Sequence, residues 1–211
     1  MSTITKHELN MALIDVRKAY RLLYSYQRRM LDTVKFISDT LSINVQSGWS
    51  IYSGNSPKNG GKLHLDSWAW DWLNMYMYEF HFGEQTIGDD KFQFAIMLQS
   101  DTGPYDSDRV KIGTEVDLFA PVEEAETKVI FQVGKNRWKA EEYGDNPIFT
   151  SKTSSILKEV EGDHKFFMAK SYPLSDLIDE EAILSTLDDF INLTNEMNMK
   201  GFFEQYSSTR N

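Results

Sequence analysis

A chain of 211 residues with 41% hydrophobic and 26% charged residues has the composition of an ordinary soluble globular protein. Its 32 Asp and Glu outweigh 22 Lys and Arg, giving a net charge of −10, which disfavours wrapping by nucleic acid because phosphate binding depends on cationic side chains releasing counterions. The absence of cysteine excludes a disulfide framework, a thiolate metal site and a thiol nucleophile.

The charge is unevenly spread. Residues 1–50 hold seven Lys or Arg against four Asp or Glu, whereas residues 51–211 hold fifteen against twenty-eight. The N-terminal stretch Met-Ser-Thr-Ile-Thr-Lys-His-Glu lacks the apolar region of a signal peptide. No run approaches the ~18 apolar residues of a membrane helix. A cytoplasmic protein without membrane contact is the expectation.

The first forty residues read as one long helix. Leu9, Leu13, Val16, Tyr20, Leu23, Gln27, Met30, Val34, Ile37 and Leu41 recur at alternating steps of four and three, with no Gly or Pro between them. A helix over 5–42 would be roughly 55 Å long, longer than a small domain is wide. Ala12, Ala19, Leu22 and Tyr26 widen the stripe beyond a narrow coiled-coil seam. This favours packing along one side of its own domain with one bend or break. The alternative is that part of it projects or pairs with another chain. Arg17, Lys18, Arg21, Arg28, Arg29 and Lys35 lie mostly off the stripe and read as a solvated face or as partners for the acidic body.

Trp49–Tyr52 is a strand candidate, and Ser53–Lys62 is a loop rich in Gly, Asn, Ser and Pro. From Trp68 to Phe82 every even position is aromatic except Asn74. A period of two places them on one face of an extended strand. The first half also fits a helical turn capped by Asp66. From Met75 onward the strand reading holds. Gly83–Asp90 reads as a turn and Lys91–Gln99 as the returning strand of a hairpin. Ser100–Gly113 is a polar loop. Glu115–Phe119 and Lys128–Val133 read as further strands, and Ser154–Val160 with Lys165–Tyr172 as a second hairpin. Pro173 ends that hairpin and Ser175 or Asp179 opens a helix. Seven acidic residues and no Lys or Arg lie between Asp176 and Met197.

This order predicts a single α+β domain over 1–211. A long helix covers 1–43, a mostly antiparallel sheet of about five to seven strands covers 48–172, and a second helix covers 175–199, with a tail at 202–211. Consecutive strands joined by short turns imply the antiparallel sheet, and both helices belong on one face of it.

Chemistry is sparse. Gly60-Gly61-Lys62-Leu63 fails as a phosphate loop, because Ser56 replaces the leading Gly and Leu63 cannot bind magnesium. No Gly-x-Ser-x-Gly elbow exists. His64-x-Asp66 with His81 could meet across a strand pair, but scattered histidines beside strands read as structural. Asp101, Asp106 and Asp108 lack the spacing of a calcium loop. No catalytic residue, metal or cofactor is assigned. Trp68, Trp70, Asp71 and Trp72 are the candidate binding residues, since clustered Trp is enriched at interaction hot spots. The leading reading is a non-enzymatic accessory protein that recognises a protein or peptide. A homodimer through the first helix is expected, and nucleic acid is not. The alternative is a metal-dependent hydrolase using Glu126 and Lys128, with Glu79 or Asp101 as the second carboxylate sharing the metal.

Overall fold

The computed structural model describes residues 4–51, 75–106, 116–138, 147–150, 156–162, 164–196 and 202–203. The helix α1 spans Lys6–Leu41, 36 residues and so about 54 Å. Its start is written in Thr5 and Glu8. The Glu8 N–H donates to the Thr5 hydroxyl at 3.2 Å, and the Thr5 N–H donates to the Glu8 carboxylate at 2.7 Å. This reciprocal pair satisfies two of the four orphan donors of a helix start. The helix stops at Ser42, which turns left-handed with φ 56°, while the Ile43 N–H reaches back to the Ser38 carbonyl at 3.1 Å. Between these ends it is unbroken, and the expected break does not occur.

Among the described residues six strands follow: β1 (Ser47–Ser50), β2 (Met77–Ile87), β3 (Asp90–Gln99), β4 (Lys128–Lys135), β5 (Ile156–Glu161) and β6 (Lys165–Pro173). Every neighbouring pair is antiparallel, in the order β1-β2-β3-β4-β6-β5. The first hairpin is longer than its sequence suggests. Gly83 adopts φ +83° in a bulge between His81 and Glu84, so the strand absorbs the glycine and resumes pairing to Ile87. Only Gly88 and Asp89 then remain as the turn. Val116–Leu118 is a 3₁₀ turn rather than a strand. Pro121 follows closely, and Ala120 bonds to Gly103 instead of to a sheet neighbour.

Alternation along the strands sorts the two faces. Tyr78, Phe80, Phe82, Phe92, Phe94, Ile96, Leu98, Phe131 and Met168 point to one side. There they meet Met30, Val34, Ile37 and Leu41 of α1 and Ile183, Leu187, Phe190 and Ile191 of α3 (Glu180–Glu196). Both helices therefore cover the same face, and the domain is α+β. Asp179 caps α3 by accepting from the Ala182 N–H at 2.9 Å. Lys170 and Tyr172 of β6 both reach the Asp189 carboxylate, at 2.5 and 2.6 Å, and tie α3 to the sheet. Phe202 and Phe203 dock into this core, with Phe202 stacked on Phe92 at 5.4 Å. The other face carries a smaller cluster of Tyr76, Met77, Met97, Ile130, Ile148, Phe149, Phe167 and Ala169. No helix among the described residues is long and apolar enough to cross a membrane.

Candidate interaction surface

The stripe of α1 is uniform in sequence and divided in structure. From Met30 to Leu41 its apolar residues are buried in the core. From Ile4 to Ser25 every residue is exposed. The five stripe positions in this bare half, Leu9, Leu13, Val16, Tyr20 and Leu23, are 46, 42, 46, 70 and 38% exposed. Met11, Ile14, Leu22 and Tyr24 are exposed as well. The expectation that α1 packs along its own domain therefore holds only for its last third. Twenty residues, 6–25, stand clear as an arm of about 30 Å. An aqueous surface gains nothing from such a row of large apolar side chains, and a contiguous exposed apolar patch marks an interaction site.

The root of the arm is pinned by two side chains. The Tyr26 hydroxyl and the Ser100 hydroxyl lie 2.8 Å apart, and burial raises the Tyr26 pKa above the usual phenol value. The Arg29 guanidinium donates to the carbonyls of Leu177 and Ile178 at 3.0 and 2.6 Å. These carbonyls end the 3₁₀ turn Leu174–Leu177 that precedes α3, so Arg29 supplies donors where a helix end leaves acceptors unmatched. Beside it a cavity of about 470 Å³ is lined by Arg29, Glu126, Thr127, Pro173, Leu174 and Ile178 among others. The sequence reading left Arg29 either on a solvated face or paired with the acidic body, and it reaches the body through backbone carbonyls rather than carboxylates. Its backbone acceptors carry no sequence signal, which is why this role was not legible. Lys18, Arg28 and Lys35 pair within the helix, with Asp15, Asp32 and Asp39.

Trp68, Trp70, Asp71 and Trp72 lie outside the described residues. The strand half of the aromatic segment is core: Phe80 and Phe82 are buried with Tyr78 packed against their cluster, while Tyr76 is buried in the cluster on the other face. Trp49 is exposed, with its ring centroid 5.7 Å from His81, and Trp138 meets the His81 ring edge-on at 5.2 Å.

The Glu126 and Lys128 pair takes a structural position. Gln99 of β3 faces Lys128 of β4, so Asp101 and Glu126 continue from paired strand ends. Lys128, however, is fully buried and donates to the Thr150 carbonyl, with the Glu126 carboxylate 3.8 Å away. Burial pushes its pKa below the usual lysine value, partly offset by Glu126 and Asp106. A lysine that steers water or phosphate must reach an open site, and this one is turned inward. Among the described residues no group of three or more His, Cys, Asp or Glu side chains could hold a metal ion.

A family model described as PM0109 matches residues 6–199, which takes in α1, the whole sheet and α3. The chain belongs to that family. It is 51% identical over 39 residues to a protein of Pasteurella multocida (strain Pm70) described as uncharacterized protein PM0109. That stretch is 18% of this chain and 19% of the relative, so the alignment spans about a fifth of the relative's length. No solved structure matches.

Proposed function

We propose that this member of the PM0109 family acts by binding, as a cytoplasmic accessory protein whose bare α1 arm recognises an apolar face on a protein partner. One observation carries the reading: the stripe that builds the core from Met30 onward continues uncovered over Leu9, Leu13, Val16, Tyr20 and Leu23. Fully burying one such side chain stabilises an association by ~1.5–3 kcal/mol. The arm is already helical, so less ordering cost opposes binding. A 3.5-residue apolar repeat suits a helical partner, because a second helix is the surface whose grooves follow that repeat.

The inward-turned Lys128 leaves the metal-dependent hydrolase reading without geometric support. Trp68, Trp70, Asp71 and Trp72 stay as the sequence-based second contact. The test is affinity capture from a lysate of the native host with three baits: the unaltered chain, Leu13→Glu, and the triple replacement of Trp68, Trp70 and Trp72 by Ala. Proteins retained by the first bait and lost with Leu13→Glu support the arm. Equal retention by the first two baits removes it, and loss with the triple variant alone moves the contact to the Trp segment.

A further inference from the structure

This inference rests on the arm being a protein-binding surface and names its occupant. We propose that the arm is covered by the arm of a second copy of this chain, paired antiparallel over residues 6–23. In that register Leu9 lies against the partner's Tyr20 and Leu13 against the partner's Val16. The two-fold axis repeats both contacts, so four of the five exposed stripe positions are matched twice. Leu23 lies against the stem of the partner's Lys6.

Three observations favour a second copy in this orientation. The first is self-complementarity at the flanks. On one side of the stripe stand Ala12 and Ala19, seven residues apart. The register sets each against the other, where two small side chains let the helices approach closely. On the other side Asn10 meets the partner's Arg17. No like charges are opposed, and Lys18 and Arg21 remain outward. A register one heptad further along would oppose the two copies of Arg17.

The second is the position of the body. The stripe is already occupied from Met30 by the sheet and α3. A parallel pair would bring two bodies to the same end, where neither has stripe left to share. An antiparallel pair sets them at opposite ends of the joined arms.

The third is charge complementarity. Each arm ends in a helix N-terminus beside Lys6, the positive end of the backbone dipole. The pairing lays that end next to the partner's residues 23–25, ~6–9 Å along the axis from where Arg29 enters the body. The rim there carries Asp176, Asp179, Glu180 and Glu181 around the Leu177 and Ile178 carbonyls. Within the arm Lys6, Arg17, Lys18 and Arg21 outnumber Glu8 and Asp15, so a net-basic arm meets an acidic rim across the interface.

The test uses the full chain. Sedimentation equilibrium at micromolar concentration is expected to give twice the 24.5 kDa chain mass. Leu13→Glu and Val16→Glu are expected to weaken association at least tenfold. Both sites are exposed in the single chain, so far-ultraviolet circular dichroism should be unchanged. Leu22→Glu, off the seam, should leave the dimer intact. Orientation is read with a spin label at Ser25→Cys, which is unambiguous because the chain has no cysteine. The antiparallel register sets the two labels ~32 Å apart along the axis, whereas a parallel pair sets them level, about two helix widths apart. Level labels, or a dimer indifferent to Leu13→Glu and Val16→Glu, would overturn the proposal. A monomer that still captures a host protein through Leu13 overturns the second copy and keeps the binding reading. A monomer that captures nothing overturns both.

Discussion

At the scale of single residues, Arg29 and His81 do more than their surroundings advertise. Arg29 closes two backbone acceptors of the turn before α3. Arg29→Ala should cost about 1.5 kcal/mol in urea unfolding, the low end for charge-assisted hydrogen bonds because the side chain is exposed. Arg29→Lys should recover only part, because an ammonium lacks the planar fork. His81 contacts the rings of Trp49 and Trp138, and burial lowers its pKa from the ordinary value near 6.5. Its Nδ1 accepts from the Gly83 N–H at 3.2 Å, a bond that needs the neutral ring. The unfolded chain therefore takes up this proton first as pH falls. Stability should drop from about pH 6.5 downward until the folded-state pKa is passed. Unfolding midpoints measured against pH should lose that slope in His81→Gln. The pKa values of Glu84 and Asp90 are lowered by hydrogen bonds from Lys91 and Lys135, so their contribution is present at neutral pH and is lost only as pH falls below the ordinary carboxylate range.

At the scale of elements, α1 shows how far a sequence carries. The four-and-three spacing identifies the helix to within two residues at each end, since periodicity is a property of the chain itself. What covers the stripe is not such a property. Leu23 and Val34 are equivalent in the pattern, yet one is 38% exposed and the other 4%. Only the folded sheet distinguishes them. The division predicts opposite outcomes on one helix. Ile37→Ala should destabilise by about 2–5 kcal/mol, as buried truncations do. Leu22→Ala, at a side chain 71% exposed, should change stability by less than about 0.5 kcal/mol. Chemical denaturation of both variants at one protein concentration decides this. The strands follow the same logic. Alternation located β3, β4 and β6, whose faces are buried. It misread Glu115–Phe119, where Pro121 and the Gly103 carbonyl compete for the backbone, and it mistook the bulge at Gly83 for a turn.

At the scale of the whole molecule, α+β architecture and shared helix placement were legible because each amphipathic element needs one cover and the sheet offers it. The apolar stripe of α1 was legible in its residues but not in its exposure, and the Trp68–Trp72 assignment falls outside the described residues. Paired arms would make stability depend on concentration by mass action. The thermal midpoint should rise with protein concentration in the unaltered chain and stay flat in Leu13→Glu, which differential scanning calorimetry over a hundredfold range can check. The unbroken course of α1 also has a mechanical meaning. Its bare part, ~30 Å, is longer than the ~18 Å from Met30 to Leu41 that the core grips. A sideways load at the tip therefore acts as on a lever, with its fulcrum near Met30. The resulting torque falls on the two side chains that pin the root, Tyr26 against Ser100 just after β3 and Arg29 against the Leu177 and Ile178 carbonyls before α3. A pull delivered ~30 Å from the body is thus felt together at the end of β3 and at the start of α3.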